Sequence, residues 1–330
     1  GPSGMECARV LALRGYTVDL CEADETLGGH LRDVVKLPGL SEWNRVVTYR
    51  ETQLSRMANV NILRGAGHVT AEDILDYGAS RVVLATGARW VGNGLGASGP
   101  DPLPGVDAGL SHCVTPDQFF AGKAIGGRVL ILDSDGYYMA SSLAEVLADQ
   151  GREVTILTHL DVVAPMMDLT LESHNFRRLM REKNIAERTG HWVEKVHATN
   201  QGVEVTIYDL PRDGSRRTTE PAKGAYPRRL GNAVEVLECD TVLLCTARES
   251  NDGLYRNLAA RRGEWGDKGI DAIVRSGDCL APRYLADAIF DGHRIAREFE
   301  DENPERPRAV IRERQVWGHE VYPKIGDRVL

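Results

Sequence analysis

The sequence predicts an α/β protein made of two Rossmann-like three-layer units, and three observations lead there. Met5–Arg14 has helical apolar spacing at Met5, Ala8, Val10, Leu11 and Leu13 and ends at Gly15, a natural helix stop. The β-rich, alternating stretch Tyr16–Cys21 follows it directly. The segment Leu11-Ala-Leu-Arg-Gly-Tyr-Thr-Val-Asp-Leu20 then recurs as Leu147-Ala-Asp-Gln-Gly-Arg-Glu-Val-Thr-Ile156. Before this second copy come an apolar strand, Gly127–Leu132, a turn, Asp133–Ala140, and a helix, Ser141–Gln150. A strand–turn–helix–strand pattern that occurs twice in one chain is an internal repeat of a whole supersecondary unit.

Length and composition agree with this organisation. A chain of 330 residues with 42% hydrophobic content has material for two cores. The net charge of −8 argues against nucleic acid or an anionic membrane as a partner. No apolar run nears the roughly 20 residues of a membrane span, and no signal peptide is evident. Cys7, Cys21, Cys113, Cys239, Cys245 and Cys279 are scattered without a C-x-x-C pair. They read as reduced thiols in or near the cores of a cytoplasmic protein, with no metal site among them.

The opening Gly1-Pro2-Ser3-Gly4 admits two readings, a scar of tag removal with Met5 as the start, or the back half of a G-x-G-P-S-G dinucleotide fingerprint. The helix, the glycine stop, the strand and then Glu22, about 20 residues past the turn where a ribose-binding acid belongs, favour the fingerprint. The first glycine and the strand before it are absent, so the expectation is a piece of a longer chain whose sheet lacks its central strand. Three further stretches suit a flavoprotein-type nucleotide domain. Leu27-Gly28-Gly29-His30-Leu31 follows the acid, and Ala85-Thr86-Gly87 ends an apolar strand from Arg81. Ser276-Gly277-Asp278-Cys279 precedes a helical stretch from Leu285 to Glu300.

The second turn has lost this chemistry. Its fingerprint glycines would fall near Asp135, Tyr137 and Ala140. An aspartate there repels a pyrophosphate, and a tyrosine fills the space that close backbone approach requires. Thr158 stands where Glu22 stands in the first unit, and Ala247 replaces the glycine equivalent to Gly87. The unit reads as a structural relic, which argues against a hydride route through NAD(P)H within this chain.

Together GPSGMECARVL, GYTVDL, LGGHLRDVVKLPGLSEW, TYRETQL, ATGARW, MASSLAEVLADQG and GDCLAPRYLADAIFDGHRIARE make the whole chain resemble the C-terminal region of the trimethylamine, dimethylamine and histamine dehydrogenase family. The resemblance implies two domains arranged as in glutathione-reductase-type flavoproteins. It implies an upstream (β/α)8 barrel with covalent FMN beside a [4Fe-4S] cluster, and single-electron transfer to an electron-transferring flavoprotein. It implies a homodimer, a small methylated amine as substrate, and ADP, without a redox role, as the ligand of this region. Residue by residue, Gly1, Pro2, Ser3 and Gly4 would face the pyrophosphate and Glu22 the ribose. Gly29, His30 and Leu31 would lie along the nucleotide, as would Thr86 and Gly87. Trp43, Tyr49 and Arg50 fall in the segment nearest the family's electron-acceptor surface, with Tyr49 a weak docking candidate. Catalytic, flavin-linking and cluster residues would lie upstream of Gly1.

The nucleotide domain is expected over 1–107 and 249–330, with the relic unit, 108–248, inserted between. His30 and His293 lack a companion for acid–base work, and Cys279 lacks a redox partner. Asp161–Asp168 reads as a mobile loop over the relic site, and Arg212–Arg229 as an exposed hairpin. The stretch beyond Glu300, with Trp317 and Tyr322, reads as an arm across a neighbour. Two other functions remain open: an FAD-carrying relative of dienoyl-CoA reductase, and a free ADP-sensing or scaffold module.

Overall fold

The computed structural model describes residues 1–97, 101–210 and 233–306. The expected hairpin at 212–229 and the anchors Trp317 and Tyr322 lie outside the described residues.

The first half of the chain runs α1 (Pro2–Leu13), β1 (Val18–Cys21), α2 (Leu31–Val34), α3 (Asn44–Leu54), β2 (Val60–Leu63), α4 (Ala71–Tyr77), β3 (Arg81–Leu84) and β4 (Ala88–Trp90). Next come β5 (Cys113–Val114), α5 (Pro116–Phe120), β6 (Arg128–Asp133), α6 (Tyr138–Asp149), β7 (Glu153–Thr158), α7 (Ser173–Glu182) and β8 (Ala186–Thr189). The remaining elements are β9 (His191–Thr199), β10 (Gly202–Asp209), β11 (Ala233–Cys239), β12 (Thr241–Cys245), β13 (Arg248–Ser250), α8 (Gly253–Ala260), β14 (Ala272–Arg275) and α9 (Leu285–Arg297).

Residues 113–245 contain a five-stranded parallel sheet of order β5-β12-β6-β7-β8. Alternation along β6 shows how it is layered. Val129 and Ile131 face a core with Leu143, Ala144 and Leu147 of α6, while Leu130 and Leu132 face Trp192, Val205 and Ile207. The latter belong to the antiparallel sheet β11-β10-β9. One outer layer is therefore a second sheet, where a Rossmann-like unit leads one to expect helices. Its strands alternate buried and exposed residues, as in Gly202–Asp209, so a single apolar face is available for packing.

The other half contains two separate parallel pairs, β1-β2 and β3-β14, and an antiparallel pair, β4-β13. Among the described residues no strand bridges β1 and β3. Val18 of β1 and Val83 of β3 nonetheless pack against one cluster formed by α1 and α9, which includes Cys7, Leu11, Ile295 and Ala296. The pattern of one sheet is thus present as two ribbons under a shared helical layer.

Helix α1 begins at Pro2, three residues earlier than its apolar spacing predicts, with Gly1 as N-cap. Proline suits this position because its fixed φ is helical and its missing N–H would have no acceptor there. The glycine turn is consequently the first turn of the helix itself. Gly15, at φ +93°, ends it as predicted.

Candidate functional site

Three distant stretches converge on the first turn of α1. Gly29, at φ +53°, lies against Gly1, and a Cβ on it would sit 3.2 Å from the Gly1 Cα. Gly4 approaches Ala85 so closely that its own Cβ would lie 3.2 Å from the alanine methyl. Gly277, at φ +62°, leaves only 2.7 Å between an added Cβ and the Ser3 side chain, and the Ser3 and Ser276 hydroxyls bond at 2.7 Å. The Gly-Gly-His, Ala-Thr-Gly and Ser-Gly-Asp stretches therefore surround one helix N-terminus.

That terminus has the chemistry to hold an anion. Gly1 offers no side-chain cap, and the first turn carries no acidic residue. The N–H groups of Ser3 and Gly4 have no intrahelical acceptor, and the helix dipole adds positive potential at the same end. Glu22 directly follows β1. Its backbone N–H continues the β1-β2 ladder by donating to the Leu63 carbonyl at 2.9 Å, and its carboxylate lies 3.6 Å from the Gly1 nitrogen. A carboxylate acceptor and a set of free N–H donors thus stand side by side, the donor set that a ribose next to a diphosphate requires.

The remaining sequence-predicted residues are placed differently. Leu31 is buried in the core beside Met5 and Leu27, so only its backbone is left for a ligand. The exposed His30 ring approaches Asp117, Nε2 to Oδ1 at 3.6 Å. Thr86 donates its hydroxyl to the Asn251 carbonyl at 2.6 Å, while Gly87, at φ +75°, accepts from the Asn251 N–H. These two residues reach the first turn through Ala85. Of the three residues near the expected docking segment, Trp43 packs on Tyr138 and Arg50 is buried on Glu6. Tyr49 is exposed.

Two neighbours join the site, Asp278 from the Gly-Asp motif that the sequence already marked and Arg248, which sequence reasoning missed. Asp278 is half-buried and bonded by Arg248 at 3.1 Å, with the Arg283 N–H at 3.1 Å on its other oxygen. Burial raises its pKa, partly offset by the Arg248 charge. The Gly-Asp motif was a usable signal for Asp278, whereas Arg248 had none. Beneath the site, Glu6 is buried and receives Arg9, Arg50 and His293. Burial pushes its pKa up, but the bonds from Arg9 and His293 and the Arg50 charge bring it below the ordinary carboxylate value.

The second turn is closed. The Gly136 N–H, which would face a phosphate, donates instead to Asp133 Oδ1 at 2.9 Å. Asp133 is fully buried, and burial pushes its pKa up to about 7. A Cβ on Gly136 would meet Leu160 at 2.8 Å, and the Met166 N–H donates to the Gly136 carbonyl. The loop over this turn buries Val163, Ala164 and Met167, so it is packed into the unit. Cys279 is buried beside Thr86, and five of the six cysteines are buried free thiols, with Cys21 exposed. Among the described residues, no three His, Cys, Asp or Glu side chains are grouped to hold a metal, and no helix is long and apolar enough to cross a membrane.

Comparison with known proteins bears on what this arrangement serves. Residues 114–246 match a family model described as an OYE-like second alpha/beta domain. The chain is 45% identical to dimethylamine dehydrogenase from Hyphomicrobium sp. (strain x), over 96% of its own length and 43% of that protein's. Histamine dehydrogenase from Rhizobium sp. 4-9 superposes with a TM-score of 0.78 at 34% identity, over 95% of this chain and 46% of that one. The 6-hydroxypseudooxynicotine amine oxidase from Pseudomonas geniculata N1 gives 0.78 at 32% identity, covering 91% of this chain and 41% of its own. The chain thus spans less than half the length of each of these relatives.

Proposed function

We propose that this chain is the nucleotide-carrying region of an iron–sulfur flavoprotein amine dehydrogenase that N-demethylates a di- or trimethylated amine. The observation that carries the reading is its likeness to dimethylamine dehydrogenase along almost the whole chain. In this reading an upstream (β/α)8 barrel holds FMN and a [4Fe-4S] cluster and does the amine chemistry. Electrons leave for an electron-transferring flavoprotein near the exposed Tyr49, and the protein works as a cytoplasmic homodimer.

The region described here has a binding and supporting role. Its nucleotide domain comprises 1–107 and 249–330, arranged with the inserted unit 108–248 as in glutathione-reductase-type flavoproteins. Residues Gly1, Pro2, Ser3, Gly4, Gly29 and the backbone about Leu31 cradle the diphosphate of ADP. Glu22 takes the ribose hydroxyls, and His30, Thr86 and Gly87 border the ligand. The uncapped α1 terminus beside Glu22 supports this reading. The self-bonded turn at Gly136 supports the absence of a second nucleotide, and with it disfavours an NAD(P)H-driven reductase. When bound, FMN supplies the electron acceptor for the amine C–H bond.

Anaerobic addition of dimethylamine or trimethylamine to the full-length protein tests the reading. Bleaching of the flavin band by an amine, with no response to NADH or NADPH, is the expected result. Bleaching by NAD(P)H alone would identify a reductase instead.

A further inference from the structure

We infer that Trp43 and Tyr138 form a stop that limits the ligand of the α1 site to a nucleoside diphosphate and excludes the second half of a dinucleotide. This rests on the nucleotide reading of that site. Glu22 marks the ribose flank of the first turn, while Gly29, Ala85 and Ser276–Gly277 close around the rest of it. The next groups along this surface are Asp278 and His30, which are within electrostatic reach of one another. Arg248 follows, bonded to Asp278 at 3.1 Å, and Trp43, Tyr137 and Tyr138 pack against the same core cluster as Met5 and Leu31.

From Tyr138 onward four rings are in contact. Trp43 meets Tyr138 edge-to-face at 4.8 Å, Tyr138 meets Tyr137 at 5.1 Å, and Tyr137 meets Tyr284 at 5.3 Å. The four come from three separate stretches: the segment before α3, the N-cap and first residue of α6, and the N-cap of α9. A flavin or nicotinamide continuing past the diphosphate would have to part this set and break the Arg248–Asp278 pair. Tyr137, which stands at a fingerprint glycine position, and its neighbour Tyr138 thereby gain a role: the relic turn polices the intact one.

The test is displacement of radiolabelled ADP from the full-length protein by a ligand series that grows past the diphosphate: ADP, ADP-ribose, NAD and FAD. Wild-type protein should lose at least about 100-fold in affinity between ADP and FAD, the scale of a few lost or clashing contacts. In Trp43→Ala/Tyr138→Ala protein the ADP affinity should stay within about threefold, and the ADP-to-FAD gap should narrow at least about tenfold. Equal competition by FAD and ADP on wild-type protein would overturn the proposal. So would an unchanged gap in a variant that keeps its ADP affinity. Should that variant not fold, the wild-type series still decides, since a step in affinity beyond the diphosphate is required. Failure of ADP itself to bind would contradict the nucleotide reading rather than the stop.

Discussion

Glu22 serves both the strand and the site. Its backbone N–H extends the β1-β2 ladder, and its carboxylate faces the first turn of α1. Because the ladder uses only the backbone, Glu22→Gln should leave the melting temperature within a degree or two while lowering ADP affinity about 10- to 100-fold, the worth of a charge-assisted hydrogen bond. Calorimetry with ADP beside a thermal melt checks both halves. Asp133 gives a pH prediction. Its folded-state pKa, about 7, is raised from the ordinary 3.8, so the fold favours the protonated form. The stabilisation that goes with this proton is complete below about pH 4 and is lost as pH rises through about 7. Asp133→Asn keeps an oxygen for the Gly136 N–H, removes the titration, and should stabilise the protein more at pH 8 than at pH 5. Paired melts at the two pH values check it. At this scale the sequence was legible where spacing carries chemistry: Glu22 and the glycines of the first turn could be read from their positions. Arg248 was not, because its role comes from Asp278 thirty residues on and from the second turn. The burial of the Leu31 side chain was not legible, because a single chain position cannot reveal which face of a one-turn helix becomes core.

At the level of elements, the contact of α1 with α9 positions the site. Gly292, inside α9, lies so close to α1 that a Cβ would stand 2.2 Å from the Ser3 carbonyl oxygen. That oxygen belongs to backbone and cannot rotate away, so Gly292→Ala must part the helices. We expect a loss of about 2–3 kcal/mol, the usual scale of core overpacking, and a melting point several degrees lower. Nucleotide affinity should fall with it, because Ser3 lies in the binding turn; chemical denaturation and ADP titration of the variant check the two effects. Pattern reading found the order and type of these elements, since helix and strand periods differ and glycines punctuate them. It set the start of α1 too late because Pro2 and Gly4 look like loop residues, although proline is favoured at the first helical position. It also missed that β9, β10 and β11 form an outer layer. Their pairing joins residues up to 36 positions apart, and short-range periodicity contains no record of it.

For the molecule as a whole, the account rests on an asymmetry between two similar units. Neither helix N-terminus has a side-chain cap, but the first turn of α1 is flanked by a carboxylate, whereas in the turn before α6 the Gly136 N–H is taken by Asp133 and the approach is closed by Leu160 and Met166. The repeat was visible in the sequence, and so was the loss of the second set of glycines. How that loss was filled was not visible, because it depends on Trp43 and Tyr284 arriving from other parts of the chain. On the proposed reading this region holds one nucleotide per chain. The direct measurement is to denature the purified full-length protein and identify and count what it releases. The account predicts one ADP per chain, with flavin remaining on the polypeptide. Released FAD, or no released nucleotide at all, would contradict it.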